Sequence, residues 1–132
     1  MTELAIKTHS RNEMLDVTSQ VQKLISESGL NAGYVLCFVP HTTAGITINE
    51  HADPNVCRDI LHKLRKEIPQ NDGYQHAEGN SDAHIKASLM GSSVQIIFEN
   101  GRLALGTWQG IFFCEFDGPR SRKLLVKVIG VA

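Results

Sequence analysis

The sequence has few of the features that mark nucleic-acid-binding, secreted or membrane-spanning proteins. Thirteen Lys and Arg residues nearly balance fourteen Asp and Glu residues, for a net charge of −1, so the broad positive charge of a nucleic-acid-binding protein is missing. No apolar run approaches the roughly 20 residues of a membrane-spanning helix, and the opening stretch MTELAIKTHSRNEM lacks the apolar segment of a signal peptide. We therefore expect a cytoplasmic protein with no nucleic-acid or membrane partner.

Cysteine is scarce as well, and its placement argues against thiol chemistry. The three cysteines, Cys37, Cys57 and Cys114, lie far apart and form no CxxC pair, which disfavours a zinc knuckle or a thioredoxin-type motif. Cys37 and Cys114 stand in apolar runs, where cysteine behaves as a small hydrophobic residue. We expect both to belong to the core.

The remaining composition is that of an ordinary globular protein. With 132 residues, 42% of them apolar, the chain is predicted to form a single domain over residues 1–132. Asn100-Gly101 between two apolar runs indicates a hairpin, and the last third of the chain reads as a β-meander. Strands are predicted in ELAIKT, EMLDVT, GYVLCFVP, GITINE, SVQIIFE, RLALGTW, GIFFCEF and RKLLVKVIG, and helices in TSQVQKLISESG, ADPNVCRDILHKLRKEIP and SDAHIKASLMG. This order predicts an α+β domain with mostly antiparallel sheet.

Polar side chains concentrate at four junctions between these elements. The junctions are HTTAG at residues 41–45, NEHADP at 49–54, HAEGNSDAH at 76–84 and EFDGPRSR at 115–122. Binding and catalytic residues are often placed on loops that a rigid scaffold positions. We therefore expect the four junctions to converge on one site.

The histidines of these junctions have three open interpretations. Imidazoles from His41, His76 and His84, with one position left open, suit zinc or a similar divalent ion, and Glu50 or Asp53 would orient the rings from behind. The same histidines could act on a substrate without a metal, or be incidental loop residues. The spacing from His76 to His84 matches no recognised metal motif, so the sequence leaves these alternatives open.

Anion binding has evidence of its own. Thr42 and Thr43 offer hydroxyl groups, and the helix that begins near Asn80 offers free backbone N–H groups, which attract phosphate. Arg120 and Arg122 follow a Gly-Pro turn and suit a bidentate grip on a phosphate.

Two residues near the end of the chain keep open roles. Arg120 has a structural alternative, in which it pairs with Glu115 or Asp117 and fixes the turn. Trp108, in GTWQG, begins a strand and belongs either to the core, to a subunit contact or to a pocket wall.

Taken together and in this order, PHTTAGITINE, HAEGNSDAHIKASLMG and GTWQGIFFCEFDGPR resemble the YjbQ family over essentially the whole chain. That family carries the label secondary thiamine-phosphate synthase. The resemblance implies a mostly antiparallel two-sheet β-sandwich with helices on the outside, and a homotrimer with pockets near the subunit boundaries. It also implies a site formed by His41, Thr42, Thr43, Glu50, Asp53, His76, Asn80, His84, Trp108 and Arg120.

The function expected from the resemblance is that of a small enzyme acting on a phosphorylated or pyrophosphorylated small molecule, with thiamine-phosphate synthase activity. The alternatives are a metal-assisted hydrolase and a trimer that binds an anion or a metal without turnover. The roles expected are catalysis for His41, His76, Glu50 and Asp53, substrate binding for Thr42, Thr43, Asn80, Trp108 and Arg120, and ligation of a divalent metal such as zinc for His41, His76 and His84.

Overall fold

The computed structural model describes residues 1–131, which form two antiparallel sheets and three helices. The larger sheet has the strand order β1-β8-β3-β5-β6 and the smaller one β2-β7-β4. The predicted α+β fold with mostly antiparallel pairing is confirmed. The elements are β1 (Thr2–Lys7), β2 (Glu13–Asp16), α1 (Thr18–Ser28), β3 (Gly33–Phe38), β4 (Ala44–Glu50), α2 (Pro54–Glu67), α3 (Ser81–Met90), β5 (Ser93–Glu99), β6 (Arg102–Leu103), β7 (Gln109–Glu115) and β8 (Ser121–Gly130).

The helix boundaries follow the local signals in the sequence. Asp53 caps α2 by accepting a hydrogen bond from the Asn55 N–H at 2.9 Å, and Pro54 occupies the first turn, where its missing N–H costs nothing. Gly29 ends α1 in the left-handed conformation, with φ of 70°. Capping residues therefore predicted the start of α2 and the end of α1.

The meander predicted for the last third of the chain is wrong. β5 and β6 do form a hairpin around Asn100 and Gly101, but β6 has only two residues. The chain then crosses to the smaller sheet, where β7 is the central strand, and returns as β8 between β1 and β3. The burial of β7 explains this crossing. Every residue of β7 from Gly110 to Glu115 is buried, so the strand needs a position where both of its faces are covered, at the centre of the smaller sheet.

The main core lies between the two sheets and is closed by α1. Ile111 and Phe113 of β7 meet Val35 and Val126 of the larger sheet, and all four side chains are at most 2% exposed. The two sheets thus pack face to face, as in a sandwich. α1 adds Val21 and Ile25 to the same cluster.

A second apolar cluster lies on the other face of the smaller sheet, beneath α2 and α3. Phe112 and Cys114 of β7 pack there against Ala83 and Ala87 of α3. Burial raises the pKa of Cys37 and of Cys114 to about 12, so both thiols stay neutral near pH 7. The predicted core role of these two cysteines is confirmed.

The outer face of the larger sheet is not covered by any helix in residues 1–131. Strand register places Leu36, Phe38, Ile97, Leu125 and Ile129 together on this face. Phe38 is 41% exposed and Ile97 61% exposed, which is unusual for large apolar side chains on adjacent strands. Among the same residues, the helices are all too short or too polar to cross a membrane.

Candidate functional site

The first junction forms a turn in which His41 takes over a backbone hydrogen bond. The register of β3 with β8 sets Phe38 opposite Leu125, so Lys123 would face Pro40, beyond the end of β3. The backbone N–H of Lys123 instead donates to Nε2 of His41 at 2.9 Å. The imidazole therefore holds the turn against β8.

This contact determines where the proton of the neutral ring lies. A backbone N–H can bond Nε2 only while that nitrogen is unprotonated, so the proton is on Nδ1. Burial and the nearby Arg122 charge lower the pKa of His41 below its usual value, which keeps the ring neutral near pH 7. Nδ1–H has no hydrogen-bond partner in residues 1–131 and is free to donate to a ligand.

Helix α3 meets this turn because β4 begins with small residues. The carbonyl oxygen of Gly91 accepts a hydrogen bond from the Ile46 N–H at 3.0 Å. A Cβ at Gly45 would lie 2.8 Å from that same oxygen, so a side chain there would force α3 away from β4. This close approach places His84, on α3, beside His41.

Two clefts share His41, Thr42 and Ser92. One, of about 480 Å³, extends to His84 and Ser88, and the other, of about 550 Å³, extends to Phe38 and Arg120. We call them together the anion cleft. Within the described part of the chain, no Asp or Glu lines either cleft, so hydroxyl, imidazole and guanidinium donors face the space.

Behind the anion cleft, Arg122 is engaged in a buried ion pair. Its Nε donates to Oε1 of Glu115 at 2.8 Å, and its Nη2 donates to Oγ1 of Thr43, also at 2.8 Å. Thr8 donates to the same carboxylate at 2.8 Å. Burial alone would raise the pKa of Glu115, but these donors outweigh it and hold the pKa below its usual value. Arg122 is therefore a structural residue.

The ion pair also engages Thr43, a predicted substrate contact. Its hydroxyl oxygen accepts from Arg122, and the residue is only 5% exposed. Thr43 lines the floor of the cleft but is held by the ion pair, whereas Thr42 is exposed and free to contact a ligand.

Arg120 adopts the structural alternative and keeps donors for a ligand. Its Nε donates to the backbone oxygen of Asp117 at 2.8 Å and its Nη2 to Oδ2 of Asp117 at 3.2 Å. Its side chain is still 50% exposed, and a guanidinium has further N–H groups beyond these two. Asn80 donates to the same Oδ2 at 2.9 Å, while its own Oδ1 is buried without a partner among the described residues.

His76 and His84 lie together, but the three-histidine metal site does not form within this chain. Their ring centroids are 5.5 Å apart, edge to face, and both line a pocket with Tyr74 and Ile85. Among residues 1–131, no group of three or more His, Cys, Asp or Glu side chains is arranged to hold a metal ion. His41 binds Lys123 through Nε2 and carries its proton on Nδ1, so neither nitrogen is available to a metal in this arrangement.

Comparison with known proteins agrees with this architecture. The family model described as UPF0047 protein YjbQ-like matches residues 2–131. The chain belongs to the YjbQ family. It is 57% identical over 125 residues to UPF0047 protein MJ1081 of Methanocaldococcus jannaschii, covering 95% of this chain and 91% of that protein. It is 52% identical over 128 residues to UPF0047 protein YugU of Bacillus subtilis, covering 96% and 97%.

Solved structures of YjbQ-family proteins share the fold. A crystal structure of an uncharacterized YjbQ/UPF0047 protein from Clostridium acetobutylicum superposes with a TM-score of 0.96 at 60% identity, covering 98% of this chain and 100% of that one. The YbjQ-like protein SSO2532 of Sulfolobus solfataricus, described as of unknown function, superposes with a TM-score of 0.94 at 34% identity, covering 98% and 96%.

Three of the residues that the YjbQ resemblance implied lie at the other end of the smaller sheet. β4 separates Glu50 and Asp53 from His41 by its seven residues, or about 20 Å. Trp108 also lies at this distant end, because its carbonyl oxygen accepts a hydrogen bond from the His51 N–H at 2.9 Å. Within one chain, therefore, Glu50 and Asp53 do not orient the imidazoles, and Trp108 does not wall the anion cleft.

His51 forms a separate hydrogen bond with Asp16 at this second end. Its Nδ1 lies 3.0 Å from Oδ2 of Asp16, and Oδ1 of Asp16 accepts the Thr18 N–H at 2.9 Å. A Cβ at Gly110 would lie 2.6 Å from His51 Nδ1, so the glycine makes room for the ring. The contact ties the end of β4 to the end of β2.

Several polar residues of the site were missed from the sequence. Glu115 was expected only as a possible partner of Arg120, and it pairs with Arg122 instead. Its position inside the apolar run GIFFCEF was the signal that it needs a buried partner.

No sequence pattern indicated the roles of Arg11, Asp82 and Lys86. Asp82 and Lys86 are each only 1% exposed in the fold. Their contacts depend on tertiary placement alone.

Proposed function

We propose that this YjbQ-family protein is a small enzyme that binds a phosphorylated or pyrophosphorylated small molecule in the anion cleft. One observation carries the proposal: the Lys123 contact leaves the Nδ1–H of His41 as a free donor in a cleft that Arg120 also lines. Donors without a facing carboxylate are what phosphate oxygens require.

The neighbouring pocket gives room for the rest of such a substrate. It is lined by Tyr74, His76, His84 and Ile85, and it adjoins the anion cleft through the shared His84. A substrate with a phosphate at one end and a flat organic group at the other would span the two. We assign Thr42, Ser92 and Arg120 to the phosphate end and His76 and His84 to the organic end.

The reaction that we propose is the thiamine-phosphate synthase activity implied by the family resemblance. A pyrimidine pyrophosphate breaks its C–O bond and releases pyrophosphate, while the thiazole nitrogen forms the new C–N bond at that carbon. Catalysis would consist of positioning the two reactants and stabilising the charge on the leaving pyrophosphate. The divalent metal expected at His41, His76 and His84 stays a prediction, and no step of this proposal depends on it.

Changing His41 tests the proposal. Because His41→Ala removes the Nδ1 donor, we expect pyrophosphate to bind roughly five- to tenfold more weakly, as for one hydrogen bond to a charged group at a half-open site. His41→Gln should retain more affinity, because its amide carries an adjacent acceptor and donor. Isothermal titration calorimetry measures both, with His62→Ala on the exposed side of α2 as the control. Unchanged affinity in His41→Ala, or wild-type protein that binds no pyrophosphate, would contradict the proposal.

We also propose that the chain assembles as a homotrimer through the uncovered face of the larger sheet. The exposed Phe38 and Ile97 belong to this face, and Phe38 also lines the anion cleft, so a neighbouring chain would lie beside that cleft. Apolar faces of this kind are typical of subunit contacts.

Light scattering on a sizing column tests the assembly. We expect a mass three times that of the 14.6 kDa chain. Ile97→Asp should shift the mass toward one chain, because a carboxylate would be buried at the contact, while Gln20→Asp on exposed α1 should not. A wild-type mass of 14.6 kDa would disprove the trimer.

A further inference from the structure

We infer that Arg11 is the positioning residue of the anion cleft: it takes up the charge of Asp117, so that Arg120 keeps its own charge for a phosphate. The inference rests on the proposed function. Arg11 lies in the loop between β1 and β2, does not line the anion cleft, and does not contact the proposed ligand. Its role would be exerted entirely through Asp117 and Asp82.

The guanidinium of Arg11 joins two segments that are distant in the sequence. Its Nη1 donates to Oδ1 of Asp117 at 3.0 Å, and its Nη2 donates to Oδ1 of Asp82 at 3.1 Å. The side chains of Asp117 and Asp82 are 11% and 2% exposed, so water screens these contacts poorly. Arg11 therefore fixes the turn after β7 to the first turn of α3.

The charges in this cluster do not cancel. Arg11, Lys86 and Arg120 are cations, and Asp82 and Asp117 are the anions they contact, which leaves one positive charge. Lys86 is already committed, since its Nζ donates to Oδ2 of Asp82 at 3.0 Å and the residue is 1% exposed. The excess charge therefore resides on the two guanidinium groups that share Asp117.

Arg120 is the group of the two that reaches the anion cleft. If Asp117 had only Arg120 as a cationic partner, the two would form a neutral pair with little attraction for a phosphate. Arg11 occupies Oδ1 of Asp117, while Arg120 shares Oδ2 with Asn80. The arrangement thus holds Arg120 in place without neutralising it.

The geometric consequence extends to His84. Asp82 lies in the first turn of α3, two residues before His84, and the other end of the helix is held where Gly91 accepts the Ile46 N–H. Arg11 thereby fixes the start of the helix that carries a proposed contact to the organic end of the substrate.

A double-variant experiment separates this role from a merely structural one. Pyrophosphate is the probe, its affinity is measured by calorimetry, and folding is checked by thermal unfolding. Arg11→Met removes the charge, and we expect roughly tenfold weaker binding, as for one partly screened charge near the site. Arg58→Met, which removes an exposed arginine of α2, is the control for net charge and should bind as the wild type does.

The decisive variant is Arg11→Met combined with Asp117→Asn. The asparagine amide group can face the space left by Arg11, while its oxygen still accepts from Asn80 and Arg120. Because no anion then opposes Arg120, the double variant should recover most of the lost affinity. If Arg11→Met does not fold, Arg11→Lys takes its place in the experiment. Arg11→Lys keeps the positive charge, and we expect its affinity for pyrophosphate to be less than threefold weaker than that of the wild type.

The outcomes distinguish this inference from the function on which it rests. Recovery in the double variant supports it. Unchanged binding in Arg11→Met, or a loss that Asp117→Asn does not restore, overturns the inference while leaving the anion cleft intact. Wild-type protein that binds no pyrophosphate overturns both.

Discussion

Replacing Arg122 by methionine is expected to lower the free energy of unfolding by about 3–5 kcal/mol. The change leaves Glu115, which is 0% exposed, as a buried carboxylate without its cationic partner. It also removes the donor that holds Thr43. Urea unfolding followed by circular dichroism gives the free energy and its dependence on pH.

Two controls show whether burial is the cause. Lys63→Met breaks the exposed pair of Lys63 with Glu67 on α2 and should leave the free energy of unfolding nearly unchanged. Combining Arg122→Met with Glu115→Gln should recover part of the loss, because no charge is left buried. A single Arg122→Met variant as stable as the wild type would show that the pair is not buried in solution.

The same carboxylate predicts a pH dependence. Because the pKa of Glu115 is lowered in the folded chain, its contribution to stability is present above its ordinary pKa of 4.5 and is lost as the pH falls through the folded value. Wild-type protein should therefore lose stability below about pH 4.5, and Glu115→Gln should lose less over that interval.

Replacing Arg120 by methionine is expected to weaken pyrophosphate binding by roughly 30- to 150-fold, or about 2–3 kcal/mol. Arg120 is the proposed cationic contact at the phosphate end of the substrate, and charge-assisted hydrogen bonds are the stronger ones. Calorimetry at two salt concentrations measures the loss, which should be smaller at high salt because screening weakens the wild-type contact.

Arg120 also fixes a turn, so its effect on folding needs a control. Arg120→Lys keeps the charge but loses the fork that reaches Asp117, and we expect an affinity between those of wild type and Arg120→Met. Thermal unfolding shows whether each variant remains folded. If folded Arg120→Met binds pyrophosphate as tightly as the wild type, Arg120 is only a turn residue and the anion cleft is wrongly assigned.

The elements of the fold were largely readable from local signals, whereas their pairing was not. Asp53 and Pro54 marked the start of α2, and Asn100-Gly101 marked the β5–β6 hairpin, because capping and turn chemistry act between near neighbours. The crossing of β7 to the smaller sheet depends on which surfaces need covering. The apolar residues on both faces of β7 hinted at this, but they do not specify a partner.

The site followed the same division. The junctions after β3 and β7 did bring His41, Thr42 and Arg120 to one cleft, since strand ends at one edge of a sandwich are near each other. Glu50 and Trp108, which the family resemblance grouped with them, lie at the far end of β4 within one chain, because that strand crosses the whole sheet. The tautomer of His41 depends on the Lys123 N–H, a contact across 82 residues that no local pattern encodes.

A crystal structure of the protein grown with pyrophosphate tests the central claim most directly. We predict density for pyrophosphate in the anion cleft, within hydrogen-bond distance of Nδ1 of His41 and of the Arg120 guanidinium, with His41 Nε2 still bonded to the Lys123 N–H. An anion cleft empty at saturating pyrophosphate, or a His41 ring turned so that Nδ1 meets Lys123, would contradict the account.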